Sequence, residues 1–188
     1  MSAAQDERNV RHRAAQARLF FALWPDSAVQ AALAEIGREL QQRLGGKPTR
    51  RGSIHLTLAF LGDVAPDKMD DVHEAAARAA FEPFSFALDV AGCWNHNGVA
   101  WVAPRVTPKP LLRLVGSLAG ALLDAGFRVD GRPYAAHVTL VRKTRCKVID
   151  LTISAVQWRA NEFVLVRSEL NAEGSRYNVI GRWPQSDT

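Results

Sequence analysis

A short pattern that occurs twice carries the residue types best suited to chemistry in this chain. The first copy is His55-x-Thr57 and the second is His137-x-Thr139, each followed by a leucine. In both copies an imidazole, which titrates near neutral pH, stands two positions from a hydroxyl that can donate a hydrogen bond. One imidazole can accept a proton while another donates one. Two such motifs are therefore suited to general acid–base catalysis.

Both copies lie in segments that the sequence predicts to be β-strands, 53–62 and 135–142. Residues i and i+2 of a strand point to the same face, so His and Thr share one face in each copy. The opposite face is apolar and is built to be buried, with Ile54, Leu56 and Leu58 in the first copy and Val138 and Leu140 in the second. The plainer alternative is a pair of ordinary strand histidines, each satisfied by its neighbouring threonine. The duplication argues against that alternative.

The elements around the two strands predict an α+β fold. Their order is strand, helix, His strand, helix, hairpin, helix, His strand and further strands, with no linker that would separate independent domains. We predict two lobes, each an antiparallel sheet with helices packed outside. The predicted strands are 18–24, 84–94, 99–102, 153–158, 162–170 and 177–183. The first predicted helix begins after Asp26 and ends at Gly45-Gly46, the second runs from about 67 to 81 with His73 exposed on it, and the third runs from Pro108 to Gly126.

A chain of 188 residues suits a single bilobal domain, predicted over 18–184, with a flexible leader at 1–17 and a tail at 185–188. A helical extension is the alternative for the leader. No apolar run approaches the length of a membrane span, and the leader lacks the apolar stretch of a secretory signal. The net charge of +5 suits a phosphate-bearing partner without identifying one. Cys93 and Cys146 are expected to be buried thiols of a cytoplasmic protein.

Four blocks, in this order along the chain, resemble those of the two-histidine phosphoesterase superfamily: 18–23, 55–62, 137–142, and 165–170 with Gly174 and Tyr177. Within it the chain is most similar to the bacterial RNA 2',3'-cyclic phosphodiesterases, first described as 2'-5' RNA ligases. One departure is Ala136, where the family usually has proline. The resemblance implies two sheets that form a V-shaped central cleft with pseudo-two-fold symmetry. It also implies hydrolysis of an RNA 2',3'-cyclic phosphate to a 2'-phosphate.

The resemblance further implies a role for each motif residue. His55 is expected to be the proton donor and His137 the proton acceptor. The hydroxyls of Thr57 and Thr139 are placed to donate to non-bridging phosphoryl oxygens, where negative charge concentrates.

Two further residues are predicted to bind substrate, Arg142 and Phe60. Arg142 is five residues after His137, so on an unbroken strand it would point away from the imidazole. Because the matching arginine of the family binds substrate, we expect a bend in the strand there.

No cofactor is expected. Neither histidine has a metal-ligand partner at a usual spacing, and no glycine-rich phosphate loop is present. The predicted partner is RNA with a 2',3'-cyclic phosphate end, bound by a cytoplasmic monomer that does not contact membranes. Two alternatives remain, a phosphodiesterase or ligase acting on 2'-5' linked oligonucleotides and a non-catalytic RNA-binding domain of the same fold.

Overall fold

The computed structural model describes residues 17–146, 150–171 and 174–184. These residues form nine strands and three α-helices. The helices are α1 (Ser27–Leu44), α2 (Met69–Ala77) and α3 (Lys109–Asp124). The strands are β1 (Ala17–Leu23), β2 (Lys47–Pro48), β3 (Leu56–Val64), β4 (Phe84–Trp94), β5 (Val99–Ala103), β6 (Val138–Arg142), β7 (Asp150–Ala160), β8 (Phe163–Asn171) and β9 (Gly174–Trp183).

The strands form one sheet in the order β7-β4-β5-β6-β3-β1-β8-β9, and β2 pairs with β6. Each strand pair in it is antiparallel. The central pair, β3 with β6, is joined in register only at Leu56 and Val138. The predicted α+β fold with antiparallel strands is therefore confirmed. The division into two lobes with pseudo-two-fold symmetry stays a prediction, as do the domain bounds, and the leader (apart from Ala17) and the tail lie outside the described residues.

The helices pack on the apolar face of this sheet. Leu33, Leu111 and Leu118, from α1 and α3, are fully buried in the same core as Leu56 and Val138. Burying one such side chain stabilises the fold by about 1.5–3 kcal/mol. This packing fixes which face of each strand is turned inward and leaves the His-Thr face outside the core.

Helix α1 begins and ends as the sequence predicts. The carboxylate of Asp26 accepts hydrogen bonds from the backbone N–H groups of Ala28 and Val29, both 2.9 Å long. Gly45 follows the last turn with a φ of 67°, a conformation that glycine adopts without strain. The helix connects β1 to the segment before the first motif, so its bounds help to set where His55 lies.

Three expectations were wrong. Cys93 and Cys146 form a disulfide, because β4 and the segment after β6 bring their Cα atoms to 6.4 Å, within the usual range for such a bond. The helix predicted from 67 to 81 is shorter, with a 3₁₀ turn at Pro66–Lys68 before α2. His73 on that helix is half-buried, not exposed, and its ring lies 5.4 Å from that of Trp183.

Candidate active site

The two histidines lie where β3 and β6 meet. His55 and His137 each come directly before the first residue of their strand, so the strands start slightly later than the sequence predicted. The predicted alternation holds, since both histidines are half-buried between buried neighbours. Leu56 pairs with Val138, and the strands run antiparallel. This register places each histidine beside the threonine of the other motif.

Both imidazoles are held by the same local hydrogen bond. Nδ1 of His55 donates to the carbonyl oxygen of Ser53, and Nδ1 of His137 donates to that of Ala135, each at 2.8 Å. A carbonyl oxygen can only accept, so the Nδ1 atom carries the hydrogen in both rings. The second nitrogen, Nε2, therefore has a free lone pair in each neutral imidazole and is the atom available for proton transfer.

Aromatic rings enclose His55 more completely than His137. Trp24 stacks on the His55 ring with centroids 5.3 Å apart and planes 2° from parallel, while Phe20 and Tyr177 lie at 4.8 and 5.3 Å. His137 has Trp94 against it at 4.5 Å. None of these aromatic residues was predicted to lie at the site, because each lies in a run that predicts an ordinary strand.

A bulge in β6 turns Arg142 to the side of the sheet that carries Thr139. The register with β5 shifts between Thr139 and Val141, so Leu140 is the extra residue. Leu140 and Val141 are both buried and Arg142 is exposed. The bend predicted for Arg142 is therefore present.

The first motif has the same irregularity. The register of β3 with β1 skips Leu58, so Leu58 and Ala59 are both buried and Phe60 is exposed. Phe60 is 58% exposed and its ring lies 5.8 Å from that of Phe20. Phe60 and Arg142 therefore occupy matching positions, three residues after the threonine of each motif.

Two long-range hydrogen bonds tie the motifs to each other. The hydroxyl of Thr49, before the first motif, donates to the carbonyl oxygen of Thr139 in the second at 2.9 Å. The hydroxyl of Tyr134, before the second motif, donates to the carbonyl oxygen of Thr57 in the first, also at 2.9 Å. Since β3 and β6 are otherwise paired at a single position, these bonds help to hold the two motifs against each other.

Removing both ties is expected to reduce the rate of proton transfer with little effect on substrate binding. For Tyr134→Phe combined with Thr49→Val we expect kcat to fall by about 10- to 100-fold, because a misplacement of the order of 1 Å has an effect of that size. Steady-state kinetics measures kcat and KM separately, and Tyr134→Phe alone should give a smaller loss. A double variant with unchanged kcat would contradict the positioning role.

Comparison with known proteins identifies the family. The family model described as LigT like phosphoesterase matches residues 23–101. An RNA 2',3'-cyclic phosphodiesterase of Thermus thermophilus is 31% identical over 177 residues, covering 88% of this chain and 89% of that protein. The chain belongs to the LigT-like phosphoesterase family. The Escherichia coli RNA 2',3'-cyclic phosphodiesterase is 29% identical over 168 residues, covering 88% of this chain and 95% of its own.

Solved structures share the fold of this chain. The crystal structure of E. coli LigT complexed with 3'-AMP has a TM-score of 0.80 at 28% identity and covers 89% of this chain and 97% of the other. The protein TT0787 of T. thermophilus has a TM-score of 0.74 at 29% identity, with 88% and 96% covered. Within the described part of this LigT-like chain, no group of three or more His, Cys, Asp or Glu residues could hold a metal ion.

The environment of the site favours the neutral form of both imidazoles. The pKa of His55 is lowered from 6.5 to about 4, mainly by burial and also by the charges of Arg142 and His137, against the opposing effect of the hydrogen bond to the Ser53 carbonyl. Burial also lowers the pKa of His137, and Arg142 adds to that effect. The guanidinium of Arg142 therefore acts on both rings. In the free LigT-like protein both imidazoles are neutral near pH 7, whereas the sequence-based mechanism has one of them protonated.

This shift makes the stability of the protein depend on pH. His55 has a pKa of about 4 when folded and an ordinary value of 6.5 when unfolded, so between these values the unfolded chain binds the extra proton. Stability contributed by this group is complete above pH 6.5 and is lost as pH falls toward 4. We expect a loss of about 2 kcal/mol in the free energy of unfolding between about pH 7.5 and about pH 4.5.

Urea denaturation at the two pH values measures this loss, with His55→Gln as the matched variant because it cannot take up the proton. The variant should lose less stability on acidification than the parent protein, by about 2 kcal/mol. Equal losses in both proteins would show that the His55 environment has been misjudged.

Proposed function

We propose that this chain hydrolyses the 2',3'-cyclic phosphate at the 3' end of RNA and leaves a 2'-phosphate. The observation that carries this proposal is the pair of imidazoles whose Nδ1 atoms are both held by backbone carbonyls. This leaves two Nε2 atoms for one reaction that needs both a base and an acid. The names of the relatives, which describe RNA 2',3'-cyclic phosphodiesterases, support the choice of substrate.

In the proposed reaction the two histidines act at opposite ends of the same displacement at phosphorus. Nε2 of His137 takes a proton from water as the water oxygen forms its bond to phosphorus. The bond from phosphorus to O3' breaks, and Nε2 of His55 gives that oxygen a proton. The product is a 2'-phosphate with a free 3'-hydroxyl. Proton exchange with solvent then returns each imidazole to its starting form.

The remaining site residues bind the phosphate and the nucleoside. The hydroxyls of Thr57 and Thr139 donate to the non-bridging oxygens, and the charge of Arg142 stabilises the negative charge on them. A bound phosphate anion raises the pKa of a nearby imidazole, which counteracts the lowering seen in the free protein. His55 therefore becomes protonated with substrate in place. The exposed ring of Phe60 stacks against the terminal base.

We also propose that the enzyme works as a monomer in the cytoplasm. RNA is the substrate that the proposed reaction requires, and the cytoplasm supplies it. The Cys93–Cys146 disulfide lies in the core with each residue at most 4% exposed, so dissolved thiol reductants have poor access to it. No helix in the described residues is long and apolar enough to cross a membrane.

The experiment is incubation of the purified protein with a short RNA that ends in a 2',3'-cyclic phosphate, followed by ³¹P NMR. We expect the cyclic signal to be replaced by that of a 2'-phosphate monoester, at an unchanged rate in EDTA. RNA with a linear 3'-phosphate is the matched control and should not react. A 3'-phosphate product, or no reaction on the cyclic end, would contradict the proposal, whereas a product joined to added 5'-hydroxyl RNA would favour the ligase alternative.

A further inference from the structure

A row of positive charge borders the candidate site, at the edge where β2 pairs with β6. Lys47 of β2 lies directly opposite Arg142 of β6. Lys143 and Arg145 follow in the next turn, and all four side chains are exposed. We call Lys47, Lys143 and Arg145 the basic edge, with Arg142 at its inner end. Like charges placed directly opposite each other on a sheet are unfavourable, so folding alone does not explain this arrangement.

The turn that presents Lys143 is held in an unusual conformation. Lys143 has a φ of 59°, the only positive value among the described residues other than glycine. Two glycines pack against this turn. A Cβ on Gly46 would lie 2.5 Å from the carbonyl oxygen of Arg142, and one on Gly98 would lie 2.9 Å from that of Thr144. Left-handed conformations of this kind concentrate at ligand-binding sites.

Contacts with the core hold the backbone of this turn in place, so the positions from which the charged side chains extend are fixed. Thr144 is buried between Lys143 and Arg145, and its hydroxyl lies within 3.4 Å of the sulfur atoms of Cys93 and Cys146. The backbone N–H of Thr144 donates to the carbonyl oxygen of Gly98 at 3.0 Å.

The chain segments that form the basic edge and the adjoining motifs carry no acidic residue. The sequence has no Asp or Glu from 45 to 62, from 90 to 123 or from 131 to 149, which are the stretches that hold both motifs and the adjoining hairpin. In the described part of the chain, none of the ion pairs involves Lys47, Lys143 or Arg145. Their charges are therefore available to an anionic partner.

We propose that the basic edge binds the phosphodiester backbone of the substrate RNA beyond the reacting nucleotide. This inference rests on the proposed function and deepens it, because it makes the substrate a polynucleotide and not a mononucleotide. The edge runs outward from Arg142, so a strand whose end lies between the histidines continues along it. Basic side chains bind backbone phosphates through charge, so this binding does not depend on the base sequence of the RNA.

The test compares two substrates, an RNA of about ten nucleotides with a cyclic-phosphate end and a single nucleoside 2',3'-cyclic phosphate. The variant combines Lys47→Gln, Lys143→Gln and Arg145→Gln. We expect kcat/KM on the RNA to fall about tenfold at low salt and kcat/KM on the nucleoside to stay unchanged. The slope of log kcat/KM against log salt, measured on the RNA, should become shallower by about 2, since each phosphate contact on a single strand contributes about 0.7.

A matched control removes the same charge elsewhere. It combines Lys109→Gln, Arg113→Gln and Arg159→Gln, three exposed positions on α3 and β7, and it should behave like the parent protein. An equal loss on both substrates, no loss on the RNA, or an equal loss in the control triple would overturn the proposal. Failure of the parent protein on both substrates would instead contradict the proposed function. If the triple variant is misfolded by circular dichroism, the salt slopes of the parent protein on the two substrates give the same test, and equal slopes overturn the proposal.

Discussion

His55→Ala and His137→Ala are each expected to lower kcat by about 10²–10⁴-fold on RNA with a cyclic-phosphate end. Each variant removes one proton transfer from a displacement that needs two. The double variant should be little worse than either single one, because residues that act as a unit give losses that do not add. KM should change less than kcat, since the phosphate contacts proposed for the threonines and Arg142 remain in both variants.

The matched control for this prediction is His96→Ala. His96 is an exposed histidine in the turn between β4 and β5, with its ring 6.4 Å from that of Trp94. The substitution therefore removes an imidazole that is close to the site but not part of it. Its kcat should stay within about twofold of the parent value, as expected for an exposed substitution outside the site. Single-turnover kinetics with each variant, after thermal melts that establish folding, would make the comparison. Near-full activity in either motif variant would rule out the acid–base pair.

Arg142→Ala is expected to lower kcat/KM by about 10- to 100-fold, the effect of losing one hydrogen-bonded charge from an anionic ligand. Arg142→Lys should recover only part of this loss, because lysine cannot form the paired contacts of a guanidinium. The plot of kcat/KM against pH should stay bell-shaped. Both limbs should move to higher pH in Arg142→Ala, since the arginine charge lowers the pKa of both imidazoles.

Measuring kcat/KM from about pH 4 to about pH 9 on one RNA tests this prediction, with the limbs assigned to the pair and not to single residues. A limb that disappears in Arg142→Ala, or limbs that move to lower pH, would show that the arginine has a different role.

The local pattern of apolar and polar residues was enough to predict the buried strand faces and the ends of the first helix. Alternating apolar residues around each His-x-Thr predicted which face is buried, and Asp26 and Gly45 predicted the ends of α1. These features depend on residues close together in the chain, where backbone geometry and burial act directly. The bend before Arg142 was also predicted, although only from resemblance to the family.

The contacts that complete the site depend on the assembled sheet and were not predictable from local pattern. Thr49 bonds to a residue 90 positions away and Tyr134 to one 77 positions away. Trp24 and Tyr177 meet at His55 only because β1, β8 and β9 are adjacent. The bulge in the second motif was visible in principle, since two apolar residues, Leu140 and Val141, separate Thr139 from the charged Arg142, whereas the exposure of Phe60 in the first motif is known only from the structure.

In the proposed mechanism His55 protonates the leaving oxygen and His137 activates water, and the whole assignment of roles depends on this division. A substrate whose leaving group needs no proton tests it most directly. We suggest the 4-nitrophenyl diester of a 3'-deoxynucleoside 2'-phosphate, because nitrophenolate departs as an anion and the sugar lacks a neighbouring hydroxyl that could displace it. On this substrate His55→Ala should hydrolyse at a rate within a few-fold of the parent protein, whereas His137→Ala should still lose about 10²–10⁴-fold. Equal losses in the two variants, or the opposite pattern, would contradict the assignment.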